Sequence, residues 1–168
     1  MVGEWSANVS QAPQIPRSAP DLPDGAYPTR LDDRGRLRLP AAYVRFFDSL
    51  AEKKLFVTSM DGKTVRIYPI AVWRQTREWL ATHPDPAAAD IFFLAMHHGA
   101  NAEMDSQGRI LIHEELRREL NLENRPLRLL PWVWRVDVVP EDLYLGRKQA
   151  AEVNREEKLV RLTALGLR

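Results

Sequence analysis

The chain has 168 residues, 45% of them hydrophobic, a net charge of +1 and no cysteine. That length and apolar content suit one domain or two small intimate ones, and the charge balance excludes a globally basic nucleic-acid binder, so any basic surface must be local. Disulfides and thiolate metal sites are excluded. No signal-peptide pattern opens the chain and no apolar run approaches the roughly 20 residues of a membrane helix, so a soluble cytoplasmic protein is expected.

Residues 1–23 hold four of the twelve prolines and read as a mobile or extended arm. An extended stretch, Ala26 to Leu31, then leads into Asp32-Asp33-Arg34-Gly35. Asp at the first and Gly at the fourth position of a four-residue turn suit a type I turn whose carboxylate accepts the following amides. Gly35 can take a positive φ at no steric cost. Beyond the turn, alternation points Leu37 and Leu39 inward and Arg36 and Arg38 outward, with Arg30 on the opposite arm and Arg34 on the turn itself. This predicts a β-hairpin with up to four arginines on one edge and tip.

Pro40 suits a first helical turn, followed by Tyr43, Phe46, Phe47 and Leu50 at helical spacing. Strands are expected at 55–58 and 65–68, joined by an Asp61-Gly62 turn and ended by Pro69. A helix follows over about 71–82. Asp85 and Pro86 cap the next, about 86–98, with Gly99 as its C-cap.

The plan then repeats. Met104-Asp105-Ser106-Gln107-Gly108-Arg109-Ile110-Leu111-Ile112-His113 lies 73 positions downstream of Leu31–Pro40 without a gap, and an internal repeat changes the reading of the whole chain. Asp105 and Gly108 occupy the turn positions, Gln107 the tip and Arg109 the place of Arg36. Leu111 stands where the first copy has Arg38. Glu114 and Glu115 open a helix with Leu116, Leu120 and Leu122 on its buried side. Strands are expected at 127–130 and 134–139, with Pro140 mirroring Pro69 and residues 141–144 starting a final helix. Trp132, Trp134, Val136 and Val138 are expected on one strand face, in the core or a subunit interface. From Tyr144 to Arg168 there are six basic and three acidic residues. The expected organisation is therefore an arm (1–23), two repeated units (24–82 and 83–145) and a basic tail or helix (146–168).

This layout resembles the MraZ family of bacterial transcriptional regulators. The resemblance is carried by Gly25-Ala26-Tyr27 with Leu31–Leu37, by Gly99-Ala100 with Met104–Ile112, and by Tyr68-Pro69 with Trp73. His113 stands where that family usually has proline. The resemblance implies an α+β, β-rich fold: two tandem AbrB-like swapped-hairpin units in a pseudo-twofold double-split β-barrel with short flanking helices. It also implies ring-like homo-oligomers, and binding of promoter DNA repeats through Asp32 with Arg36 and Asp105 with Arg109. Repression of the protein's own division and cell-wall operon, in the cytoplasm at the nucleoid, is the expected role.

An arginine at a hairpin tip can contact phosphate or bond bidentately to guanine, and a two-stranded ribbon fits the major groove. Arg30, Arg34, Arg36, Arg38, Arg109 and Gln107 are the candidate DNA contacts; Asp32, Gly35, Asp105 and Gly108 build the turns. Arg36 and Arg109 could instead pair with their aspartates purely to stabilise the turns, or be pre-ordered by them. Outward-facing Leu111 suggests a second hairpin partly covered by a neighbouring subunit. The competing reading is an oligomeric scaffold that works through protein contacts without DNA. His97 and His98, adjacent on a helix, are expected to face different sides and to mark a helix end rather than a metal site. No catalytic constellation, metal motif or cofactor motif appears, so neither an enzyme nor a cofactor is expected.

Overall fold

The structure, a computed structural model, describes residues 21–168. The proline-rich arm therefore lies outside the described residues except for its last three, of which Leu22 packs against the main core. The described residues form an α+β fold of eight strands and six helices. The first unit comprises β1 (Tyr27–Thr29), β2 (Arg36–Arg38), α1 (Ala41–Ser49), β3 (Lys54–Thr58), β4 (Val65–Pro69) and α2 (Ile70–Thr82). After α3 (Pro86–His97), the second comprises β5 (Ala100–Glu103), β6 (Arg109–Leu111), α4 (Glu114–Glu119), β7 (Leu127–Trp132), β8 (Arg135–Pro140) and α5 (Glu141–Glu152). A further helix, α6 (Arg155–Ala164), follows α5.

The strands exchange between units. The six-stranded sheet has the order β1-β7-β8-β4-β3-β5, so each unit's opening strand pairs with a strand of the other unit. The remaining strands, β2 and β6, form a separate antiparallel ribbon. Leu37 lies opposite Ile110, its own repeat mate, and Arg66 opposite Asp137 at the middle of the sheet. A pseudo-twofold axis thus runs through both layers.

Two expectations change here. The arms of each predicted hairpin are not a two-stranded ladder. The backbones of the two arms pair as a ladder only at the Leu31–Leu37 bridge in the first unit and at Met104–Ile110 in the second, with the Thr29 hydroxyl also donating to the Arg38 carbonyl at 2.8 Å. Beyond those bridges and the turns, the strand pairing of each arm is with the other unit. For the same reason the sheet is not a closed barrel: among the described residues β1 and β5 remain its edges.

One core serves both units. It takes Leu37, Leu39, Ile110 and Ile112 from the ribbon and its flanks, and Tyr43, Phe46, Phe47, Leu116 and Leu120 from α1, α4 and their ends. Leu55, Val57, Val65, Ile67, Leu127, Leu129, Val136 and Val138 come from one face of the sheet. The alternation that buries Leu55 and Val57 turns Phe56 and Thr58 to the opposite face. There Phe56 stacks on Trp73 at 4.0 Å, and the Thr58 hydroxyl donates to the Ala95 carbonyl at 2.6 Å, fixing α3. Gly99 follows α3 without a left-handed φ; His98 is the cap. A Cβ at Gly99 would lie 2.2 Å from the Phe56 ring, so glycine is required there by space rather than by φ. The expected tryptophan face is also corrected. Trp132 ends β7 58% exposed, Val133 and Trp134 form the turn with Val133 at φ +44°, Val136 and Val138 are in the main core, and Trp134 packs half-buried against the Phe56–Trp73 cluster.

Arg128 grips Glu141 through two hydrogen bonds of 2.7 and 2.9 Å and stacks over Tyr144, which seats the start of α5 on β7. Every residue of α6 is exposed, and among the described residues no helix is long and apolar enough to cross a membrane.

Candidate nucleic-acid interface

Both Asp-x-x-Gly segments close as the sequence predicts. The Gly35 amide donates to the Asp32 carbonyl at 2.9 Å, and the Gly108 amide to the Asp105 carbonyl at 3.0 Å. The next residue pair is held by Asp32 N–H to the Arg36 carbonyl (2.9 Å) and Asp105 N–H to the Arg109 carbonyl (2.8 Å). Gly35 and Gly108 have φ of +72° and +70°, a region that L side chains rarely enter.

The two carboxylates order the tip residues that come after them. Oδ1 of Asp32 accepts from the amides of Arg34 (3.0 Å) and Arg36 (2.9 Å), and Oδ2 from Arg36 Nε (2.7 Å). Asp105 repeats the pattern with Gln107 (2.9 Å), Arg109 (3.0 Å) and Arg109 Nε (2.8 Å). The amide of Arg36, then its guanidinium, holds the Asp32 carboxyl below its ordinary range. At Asp105 the Arg109 guanidinium is the larger cause. Both acids stay ionised, and both arginine stems are fixed by their own turns.

Alternation sends Leu37 and Ile110, each 0% exposed, into the core. It leaves Arg36, Arg38, Arg109 and Leu111 on the other face of the ribbon. Arg38 lies directly across from Arg109, and Arg36 across from Leu111. Like charges directly opposite on a two-stranded ribbon repel. Arg109 Nη1 also lies 4.0 Å from Asp32 Oδ2, which links the two turns. Arg34 and Gln107 are exposed on the tips and contribute only backbone amides to them. Arg30 is exposed on the arm before the first turn and makes no ion pair among the described residues.

The repeat-mates Val44 and Arg117 carry the tips, which sequence reasoning missed. A Cβ at Gly35 would lie 2.2 Å from the Arg117 guanidinium, and one at Gly108 would lie 2.6 Å from Val44 Cγ2. Each unit's helix therefore backs the other unit's turn. Backbone bonds complete the crossing: Leu39 N–H to the Gly108 carbonyl and Ile112 N–H to the Gly35 carbonyl, both 3.0 Å. The only available signal was the shared spacing of 73 between those two residues and between the turns.

His97 and His98 do end α3, with His98 as its cap, but they share a partner, which the sequence did not predict. His97 Nε2 lies 3.2 Å from one Glu119 oxygen and His98 Nδ1 lies 2.9 Å from the other. Successive side chains diverge around a helix, but His97 reaches with its far nitrogen and His98 with its near one. Both converge on a carboxylate at the end of α4.

No family model matches the chain. The chain is similar to three curated proteins named "Transcriptional regulator MraZ". That of Acidobacterium capsulatum is 40% identical over 95 residues, which cover 55% of this chain and 65% of the relative. That of Koribacter versatilis is 35% identical over 102 residues, 59% of this chain and 69% of the relative. That of Ralstonia pickettii is 31% identical over 129 residues, 76% of this chain and 88% of the relative.

Proposed function

The chain belongs to the MraZ family of transcriptional regulators, and we propose that it acts by binding double-stranded DNA through the arginine face of its β2–β6 ribbon. The observation that carries this reading is the juxtaposition of Arg36, Arg38 and Arg109 on one ribbon face, with Arg38 and Arg109 opposed across it. Arg109 already has the Asp105 carboxylate, whereas Arg38 has no acidic partner among the described residues, and a phosphate can supply the anion that it lacks. A two-stranded ribbon is thin enough for the major groove. Arg36 spends Nε on Asp32 and keeps both terminal nitrogens for a base edge or phosphate. Arg34, Gln107 and Arg30 flank this face as further contacts, while Asp32, Gly35, Asp105 and Gly108 keep the turns in shape.

In this reading residues 24–82 and 83–145 are the two units that jointly make one ribbon, and 146–168 is a basic appendage. One ribbon makes few ionic contacts and binds in a salt-sensitive way. A homo-oligomer, in the form of a ring, multiplies the ribbons and favours promoter repeats by raising effective concentration. The regulated target is the protein's own division and cell-wall operon, repressed at the nucleoid.

Fluorescence anisotropy with duplex DNA from upstream of the protein's own gene, at two salt concentrations, tests the proposal. Arg36→Ala is expected to weaken binding about tenfold or more. Arg38→Ala is expected to reduce the salt slope by about one. Equal affinity of the wild type and the Arg36→Ala/Arg38→Ala/Arg109→Ala variant would overturn it. A second reading, a scaffold acting through protein contacts, draws support from Leu111, which is 54% exposed on the same face. It predicts an oligomer untouched by the triple substitution and no DNA affinity in the wild type.

A further inference from the structure

We propose that His97, His98 and Glu119 form a binding site for one divalent transition-metal ion, of the zinc, cobalt or nickel class. The three ligand atoms lie within 4.8 Å of one another. Glu119 stands 3.2 Å from His97 Nε2 and 2.9 Å from His98 Nδ1. A tetrahedral ion with bonds of about 2.0–2.1 Å holds neighbouring ligand atoms roughly 3.3 Å apart; the two imidazoles reach the two Glu119 oxygens at close to that spacing, and the widest separation, at most 4.8 Å, closes by a small side-chain rotation. Two imidazoles and a carboxylate are the donors that borderline metals prefer. The remaining positions are open to water, since the His97 and Glu119 side chains are 44% and 37% exposed, while His98 is held at 11%.

The repeat supplies an independent argument. Glu119 stands at the position of Phe46 in the first unit, and Phe46 is buried in the core. The equivalents of His97 and His98 are Asp24 and Gly25. The second unit thus carries a carboxylate where the first has a core aromatic, and two imidazoles from the end of α3 meet it. An ion bound there ties α3 to α4, the helix whose Arg117 backs the first turn. This inference does not depend on DNA binding.

Untagged full-length protein titrated with Co²⁺ should show saturable visible d–d absorption at one ion per chain, displaced by Zn²⁺. His97→Ala and Glu119→Gln should each abolish the saturable signal. His83→Ala, at an exposed histidine outside the cluster, should leave it unchanged. Zn²⁺ should also raise the melting temperature of the wild type and not that of Glu119→Gln, because an ion that binds only the folded state stabilises it. Circular dichroism establishes that each variant is folded. No saturable Co²⁺ signal in the wild type would overturn the site and leave Glu119 as a hydrogen-bond partner of the two imidazoles only. A signal that persists in both ligand variants would overturn it equally.

Discussion

Asp32 and Asp105 act twice, closing a turn and aiming an arginine, and both roles depend on ionisation. Their folded-state pKa values lie below the unfolded ones. The stability they contribute is therefore complete above the unfolded carboxylate range and is lost as pH falls through the folded values. Urea midpoints should accordingly drop between about pH 7 and about pH 3, and Asp32→Asn/Asp105→Asn should narrow that drop. The turn glycines should differ from each other. Alanine at either is strained by the positive φ and should cost about 1 kcal/mol or more. Gly108→Ala should cost more than Gly35→Ala, because Val44 is short and branched whereas the end of Arg117 can swing away. Denaturant titration of both variants checks the order. The turns, the faces of Leu37 and Arg38, and the Asp–Arg pairs were all legible because each is settled within five residues. Glu119 beside His98 was not, because nothing local announces a contact made across two helices.

Among the elements, the helices were the most readable. Asp85 caps α3 through the Ala87 amide, as its position before Pro86 implied. The strands were found but their partners were not. Hydrophobic alternation says which face of β1 is inward and is silent on whether β2 or β7 lies beside it. α4 offers a test of the repeat itself. His113 precedes it at φ −64° and ψ 152°, matching Pro40 before α1 at −60° and 152°. His113→Pro should therefore be accommodated and should raise stability by about 0.4–1 kcal/mol, through a less mobile unfolded chain. A loss of stability in thermal or chemical denaturation would mean that the two helix entries are less alike than their dihedrals.

At the scale of the molecule, the pseudo-twofold is broken where function is proposed. Arg38 in one half is Leu111 in the other, and Leu111 faces solvent opposite Arg36. If a neighbouring copy covers that leucine, Leu111→Arg should shift light scattering toward smaller species. If specificity comes from spacing, operator repeats respaced by half a helical turn should bind more weakly in a gel-shift series. The α+β class was legible, and so was the recurrence of the Asp-x-x-Gly turn after 73 residues. The open sheet was not, since closure depends on how far the short arms β1 and β5 remain paired with β2 and β6 before they part.

The crossing of β1 and β5 between halves also governs how the chain can be taken apart. Neither half owns a finished sheet: the first lacks a neighbour for β1, and the second lacks one for β5. Expressed alone, residues 21–84 should stay unfolded or find a twin of themselves, and mixing them with residues 85–168 should restore the native circular dichroism. The peptide between α2 and α3 would then serve as a leash, supplying proximity to two interlocked pieces rather than any contact of its own.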